Sequence, residues 1–153
     1  MKKILVAVTF LVSASAFALG GYAQIRGAYE RMSGENGFGG GASIGITVAP
    51  MIGVEGYFDY TMFSDIDTNM MHFGGKVAVF PVEYLFIKAG AGIARTSVDL
   101  GIVSASTNDL ELVGNVGVAL PMGDAIAFTV EGQYRRIDGG NNYGGLAGVQ
   151  FGF

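Results

Sequence analysis

The sequence feature that most limits the fold of this chain is an alternation of apolar residues with a period of two, which recurs along most of its length. In eight segments every second residue is apolar, glycine or tyrosine, and none of these positions carries a charge. The segments are residues 23–29, 38–48, 52–62, 71–79, 85–93, 110–120, 126–134 and 143–153. Successive side chains of a β-strand point to opposite faces, so a period of two indicates strands. The sequence therefore predicts an all-β fold of eight strands.

The opposite face of the same segments carries most of the charge. A soluble β-sandwich also alternates in this way. Here, however, glycine supplies 26 of 153 residues, only 14% of residues are charged, and the mean hydropathy is +0.44. This composition favours an apolar face toward lipid and a charged face toward an interior. The charged residues predicted to point inward are Arg26, Glu30, Glu55, Asp59, His72, Lys76, Lys88, Asp109, Glu111, Glu131 and Arg135.

The links between the segments alternate between two kinds. Pro50, Pro81 and Pro121 mark three short links, where the missing proline N–H does not interrupt a ladder. The other four links, residues 31–37, 63–70, 96–108 and 136–142, are longer and polar. Short turns at one end and longer loops at the other are typical of a closed up-and-down transmembrane β-barrel with antiparallel strands. Closure also leaves no unpaired strand edge in lipid.

The N-terminus has the three parts of a secretory signal peptide. Lys2 and Lys3 precede the apolar run ILVAVTFLV, and an A-x-A-type site follows at residues 16–18. We expect residues 1–18 to be removed and residues 19–153 to form the barrel; cleavage after Ala23 is the alternative. The protein is therefore predicted to be exported to the bacterial outer membrane.

Several other classes of protein are disfavoured. Residues 36–54 are uncharged and long enough to span a bilayer as a helix, but their six glycines, their proline and their period of two argue against one. The net charge of −4 disfavours a nucleic-acid partner, and the absence of cysteine rules out disulfides.

Aromatic residues on the apolar face lie near the long-loop ends of their segments, as in the interfacial girdle of a membrane barrel. The predicted girdle residues are Tyr29, Phe38, Tyr60, Phe73, Tyr134 and Tyr143.

The C-terminal segment YGGLAGVQFGF ends in phenylalanine and has apolar or aromatic residues at alternate positions. It resembles the signal by which the barrel assembly machinery recognises outer-membrane barrels, carried here by Tyr143, Val149, Phe151 and Phe153. With the signal peptide and eight strands, the chain resembles the small eight-stranded outer-membrane barrels of the OmpA transmembrane-domain, OmpX–Ail and opacity-protein type. The resemblance implies a monomeric structural or surface-interaction protein in contact with outer-membrane lipid and lipopolysaccharide, with any surface ligand unknown.

The interior of an eight-stranded barrel is just wide enough to be filled by side chains. Buried charges must then be paired, so we expect an ion-pair network in the lumen. Its predicted members are Arg26, Glu55, Lys76, Lys88, Glu131 and Arg135. A narrow ion or small-solute path through these residues is the alternative function.

No catalytic, cofactor or metal site is predicted. His72 is the single histidine, and residue 74, its inward neighbour, is a glycine where some lipid A-modifying barrels have a serine; Ser43 is too far toward mid-barrel to replace it. We therefore expect no enzyme activity, a lipid A-modifying enzyme being the least favoured alternative. Asp65, Asp67 and Asn69 resemble the start of a calcium loop but lack its glycine and distal glutamate.

Residues 98–108 (VDLGIVSASTN) form the longest predicted loop, and they are apolar and rich in serine and threonine. We expect this segment to extend its hairpin above the membrane and to expose a strand edge, with which a partner strand can pair.

Overall fold

A computed structural model describes residues 20–63, 68–82, 84–99, 104–138 and 140–153. These residues form eight strands, which confirms the predicted all-β fold. The strands are β1 (Gly21–Met32), β2 (Glu35–Ala49), β3 (Ile52–Phe63), β4 (Thr68–Val82), β5 (Leu85–Asp99), β6 (Ser104–Pro121), β7 (Ile126–Ile137) and β8 (Gly140–Gly152).

Each strand pairs with its sequence neighbours in an antiparallel ladder, and β1 also pairs with β8. The sheet is therefore a closed up-and-down barrel. Both described chain ends lie at one rim, where the Gly21 amide donates to the Phe153 carbonyl at 2.7 Å. We call this end the terminal rim. The opposite end, formed by the hairpins β1–β2, β3–β4, β5–β6 and β7–β8, is the distal rim.

The alternation has the predicted phase in all eight strands. Apolar residues such as Ile44, Val77 and Leu112 are exposed on the outer wall, while Arg26 and Glu131 are buried inside. Among the described residues, no helix is long and apolar enough to cross a membrane. Residues 36–54, which are long enough for a spanning helix, instead belong to β2, its turn and β3.

The distal hairpins are longer, and their turns shorter, than the sequence predicts. Met32 pairs with Glu35, and Ile137 pairs with Gly140, so the predicted loops 31–37 and 136–142 are mostly paired strand. In the first turn, Ser33 and Gly34 both have positive φ, at 52° and 103°, as a two-residue hairpin turn requires. Polar residues resemble a loop in the sequence even where the ladder continues through them, and for this reason the predicted strand ends are wrong.

The predicted bounds of the other two distal links are also wrong, for the same reason. β3 continues to Phe63 and β4 begins at Thr68, inside the predicted loop 63–70. β5 and β6 stay paired to Asp99 and Ser104, so the predicted loop 96–108 is largely an extended hairpin. At the terminal rim, the Pro50–Met51 link is a two-residue turn in which Met51 has a φ of 71°.

Candidate functional site: the lumen and the distal rim

Ionisable side chains from six of the eight strands converge inside the barrel and are almost completely buried. They fall into two groups. The lysine cluster consists of Glu55, Lys76, Lys88 and Glu131, nearer the terminal rim, and the arginine cluster consists of Arg26, Glu30, Asp59, His72, Glu111 and Arg135, nearer the distal rim.

The lysine cluster is centred on Glu55 of β3. Lys88 Nζ lies 2.9 Å from Glu55 Oε2 and 3.7 Å from Glu131 Oε1, so one ammonium bridges two carboxylates. Lys76 Nζ lies 3.8 Å from Glu55 Oε1. The Tyr22 hydroxyl donates to Glu55 Oε2 at 2.9 Å. Two ammonium groups thus face two carboxylates, and the cluster has no formal net charge.

Neutral side chains also donate hydrogen bonds to the carboxylate of Glu131. Gln24 Nε2 and Asn115 Nδ2 each donate to one of its oxygens at 2.8 Å. The Gln24 carbonyl oxygen accepts from Arg26 Nη1 at 3.0 Å. Gln24 therefore connects the two clusters into one network across the lumen.

The arginine cluster is centred on Asp59, which is completely buried. Arg26 Nη2 lies 2.8 Å from Asp59 Oδ1, and Arg135 pairs with the other oxygen of the same carboxylate. Arg135 also lies 3.2 Å from Glu30 Oε1 and 3.3 Å from Glu111 Oε2. A guanidinium group has five donors in a planar fork, which allows Arg135 to join three carboxylates.

His72 lies between two carboxylates of the arginine cluster. Its Nδ1 is 2.7 Å from Glu111 Oε2 and its Nε2 is 3.7 Å from Glu30 Oε2. The Ser43 hydroxyl instead accepts a hydrogen bond from Arg26 and donates one to Gln24. Because a catalytic base must reach its nucleophile, these contacts give His72 and Ser43 no catalytic pairing. The arrangement fits a histidine that binds a buried carboxylate by hydrogen bonding.

The structure places the six predicted network residues in both clusters. Glu55, Lys76, Lys88 and Glu131 form the lysine cluster, while Arg26 and Arg135 belong to the arginine cluster. The predicted network lacks the carboxylates that pair with the two arginines, although their inward phase is visible in the sequence. The predicted network is limited to charges near the middle of the barrel, whereas these carboxylates lie toward the loop ends of their segments. They are Glu30, Asp59 and Glu111.

An apolar layer closes the distal end of the lumen. Phe63, Met70, Ala94 and Ile137 are buried together there, and Met32 packs against them. Two of these residues, Phe63 and Met70, lie in the predicted loop 63–70. Their burial corrects that interpretation, because the hairpin continues and points both side chains inward.

A second apolar layer lies at the terminal rim. The rings of Tyr22, Phe80 and Phe86 are buried there, with at most 6% of each residue exposed. Each ring lies close to an inward glycine that leaves room for it, as at Gly45 beside Tyr22 and Gly117 beside Phe86. The charged network is therefore enclosed between two apolar layers.

The six aromatic residues of the predicted girdle lie on the outward face, in the distal halves of their strands. Two pairs are in contact across a ladder, Tyr29 with Phe38 and Tyr134 with Tyr143, and in both the ring centroids are 5.3 Å apart. The remaining two residues pair with other outward apolar side chains: Phe73 lies opposite Phe58, and Tyr60 lies opposite Met71.

Three of the four residues of the predicted assembly signal, Tyr143, Val149 and Phe151, lie on the outward face of β8, and Phe153 follows the strand directly; Val149 is partly exposed and the other three are exposed. β8 is hydrogen-bonded to both β1 and β7, so it is the strand that closes the barrel.

No group of three or more metal-ligating side chains occurs among the residues that the structure describes. Asp65 and Asp67 of the calcium-like segment lie outside the described residues, as does the predicted signal peptide, whereas Asn69 lies in β4. Ala23, the alternative cleavage point, lies within β1, where it pairs with Ile44 and Phe151.

No protein-family model and no curated protein sequence matches this chain. Solved structures do match it. Neisserial surface protein A has 17% identity and a TM-score of 0.67, covering 87% of this chain and 96% of its own. Ail, the attachment invasion locus protein of Yersinia pestis, has 16% identity and a TM-score of 0.60, covering 88% and 97%.

The N-terminal β-barrel domain of OprF from Pseudomonas aeruginosa has 15% identity and a TM-score of 0.56, covering 86% of this chain and 97% of its own. At sequence identities this low, the matches show that the folds are similar and nothing further. The closed antiparallel ladder of this chain matches the architecture of these three structures. The chain therefore has the fold of the small eight-stranded outer-membrane β-barrels.

Proposed function

We propose that the protein is an integral barrel of the bacterial outer membrane, with a structural and surface-interaction role. The observation that carries this proposal is the inverted distribution of side chains. Large apolar residues cover the outer wall, while the lumen holds charged side chains. Such a wall is unfavourable in water and matches the hydrocarbon region of a bilayer.

The distal rim faces the exterior in this proposal, since outer-membrane barrels have their short turns on the periplasmic side. The outward aromatic residues near the distal rim then form the interfacial girdle, and lipopolysaccharide surrounds it. The outward aromatic face of β8 serves as the segment that the assembly machinery recognises. Residues 1–18 direct export; cleavage after Ala23 would remove Tyr22, which donates to buried Glu55, so cleavage after Ala18 is favoured.

Gel mobility tests the membrane barrel directly. The protein from outer-membrane fractions is expected to migrate at a different apparent mass before and after boiling in detergent, because a closed hydrogen-bonded barrel resists cold detergent. It is also expected to stay in the membrane after carbonate extraction. Recovery in the soluble periplasmic extract, without a mobility shift, would contradict the proposal, because the apolar wall would then be covered by something other than membrane lipid.

A structural role is favoured over a channel because the two apolar layers enclose the charged network. Planar bilayers containing the refolded protein are expected to show no steady conductance, since ions would have to leave water and cross the layer around Phe63 and Met70. Steady currents that change in Lys76→Ala would support the ion path instead. Protein-free bilayers and a boiled sample are the controls.

The proposed surface contacts are centred on β6. Its pairing with β7 begins at Glu111, opposite Ile137, so residues 104–110 pair with β5 alone in the described part of the chain. A groove of about 850 Å³, lined in part by Asn108 and Arg136, lies at this step. An unpaired strand edge can bind an extended segment of a partner protein by adding a strand to the sheet.

A further inference from the structure

Two neighbouring distal hairpins carry the same outward-facing set of residues. The β1–β2 hairpin contains Tyr29, Arg31, Asn36 and Phe38, and the β7–β8 hairpin contains Tyr134, Arg136, Asn141 and Tyr143. The spacing is the same in both, Y-x-R-x4-N-x-[FY]. We call these the twin hairpins.

The twin hairpins also share their geometry. Tyr29 lies opposite Phe38 and Arg31 lies opposite Asn36 in one ladder. The Tyr29 hydroxyl donates to Asn36 Oδ1 at 2.7 Å, and the two rings are tilted by 55°.

In the second ladder, Tyr134 lies opposite Tyr143 and Arg136 opposite Asn141. The Tyr134 hydroxyl donates to Asn141 Oδ1 at 3.0 Å, and the rings are tilted by 50°. In each hairpin, the asparagine oxygen is thus used by the tyrosine, and its amide group stays available as a donor beside the arginine.

The β5–β6 hairpin repeats only the polar half of this arrangement. Arg95 lies opposite Asn108, but the pair below it is Ile93 and Leu110, with no aromatic ring. This hairpin provides a natural comparison within the same molecule.

The three outward arginines differ electrostatically from the inward ones. Arg26 and Arg135 pair with buried carboxylates. Arg31, Arg95 and Arg136 are exposed, and within the described ranges none of them forms an ion pair. The lysines that the structure describes, Lys76 and Lys88, are buried in the lumen. The positive charge of the described outer wall is therefore confined to arginines at the distal rim.

The twin hairpins form one continuous patch because β8 adjoins both β1 and β7. Arg31 lies opposite Tyr143, which in turn lies opposite Tyr134, two residues before Arg136. Two strand spacings separate β1 from β7, roughly 10 Å. Asp138, in the adjacent turn, is exposed and forms no ion pair that the structure records. The register thus places Arg31 directly opposite Tyr143 and Arg136 diagonal to it, on the two strands that flank β8, just above the apolar wall.

We propose that the twin hairpins bind the phosphate groups of a phosphorylated glycolipid in the outer leaflet. This inference rests on the proposed membrane location. Aromatic rings lie at the level of lipid headgroups, so Arg31 and Arg136 lie at the height of the headgroup phosphates. Guanidinium groups bind phosphate oxygens in a bidentate manner, the asparagine amides add donors, and the rings pack against the sugar and upper acyl chain.

Native mass spectrometry of the folded protein in detergent micelles tests this site. The probes are diphosphoryl lipid A and the same lipid with both phosphates removed. We expect the wild-type protein to retain the diphosphoryl lipid in preference. The double variant Arg31→Gln and Arg136→Gln is expected to lower its apparent affinity at least about tenfold, because each charge-assisted contact contributes roughly that factor. The control, Arg95→Gln, is expected to change the affinity less than about twofold.

Equal retention of the two lipids, or an equal loss in Arg95→Gln and the double variant, would overturn the proposal. Displacement of the lipid by millimolar inorganic phosphate would do so too, because the site would then bind free phosphate. If the double variant fails to fold, each single variant is tested in its place. The boiling-dependent mobility shift is measured for every variant, so failure of the barrel itself is distinguished from failure of the lipid site.

Discussion

Replacing Asp59 with alanine is expected to lower the free energy of unfolding by about 3–5 kcal/mol, the usual result of breaking a buried ion pair on one side. Asp59 is completely buried and pairs with both Arg26 and Arg135. Without it, Arg26 has no carboxylate partner that the structure records, and Arg135 retains only Glu30 and Glu111. The uncompensated guanidinium group then lies in a lumen enclosed by apolar layers.

The measurement is the urea concentration at which half of the protein loses its boiling-dependent mobility shift in lipid vesicles. A gel readout is suitable because the chain contains no tryptophan. Asp124→Ala is the matched control, since Asp124 is exposed in the link between β6 and β7. Equal midpoints for Asp59→Ala and Asp124→Ala would show that the arginine cluster contributes little to stability.

Replacing Gly74 with alanine is expected to destabilise the barrel by about 3 kcal/mol or more, at the upper end of the cost of overpacking. Gly74 points inward, and a Cβ atom there would overlap the Ala91 carbonyl and lie 2.5 Å from the Cα atom of Gly92. Both contacts are with the backbone of β5, which cannot move without breaking the ladder. Inward positions are crowded because strand curvature is high in a barrel of eight strands.

The adjacent Gly75 provides the control for this variant. It points outward, and the nearest atom to its added Cβ would be the Glu55 carbonyl oxygen at 3.8 Å. Gly75→Ala is therefore expected to be neutral or to stabilise by about 0.4–1 kcal/mol through reduced freedom of the unfolded chain. Refolding yield and urea midpoint in vesicles are measured for both variants. A Gly75→Ala protein as unstable as Gly74→Ala would mean that intrinsic strand propensity, rather than close approach, sets the cost.

Which residues of each strand point inward can be predicted from the sequence, because the apolar outer surface and the charged lumen differ so strongly. A residue such as Val77 next to Lys76 has only one acceptable orientation if one face is apolar and the other polar, since a one-residue slip would exchange every side chain. The same reasoning correctly predicts that Glu55, Lys88 and Glu131 point into the lumen.

The strand ends cannot be predicted in this way. Beyond the apolar band, outward residues such as Arg31 and Asn36 are polar, so alternation disappears although the ladder continues. Glu30, Phe63 and Met70 consequently fall near or within predicted loops. The inward phase of these three residues, which continues that of their strands, is the signal that could place them correctly.

The shared residue set of the twin hairpins is not predicted from the sequence, for a related reason. The aromatic residues are recognisable one by one as outward-facing, whereas Arg31 and Arg136 fall in predicted loops. A comparison of the two hairpins at equal spacing from Tyr29 and Tyr134 reveals the repeat, but its meaning depends on the register that brings each arginine opposite an asparagine.

In the proposed membrane location, the position of Asp59 and Arg135 on opposite walls affects how the barrel is inserted. These partners belong to β3 and β7, and they are 76 residues apart in the chain. A β3–β4 hairpin alone in lipid would carry Asp59 without either of its arginine partners, which belong to β1 and β7, at a cost of several kcal/mol. Partly inserted intermediates are thus strongly disfavoured, and insertion and closure are expected to occur as one concerted step.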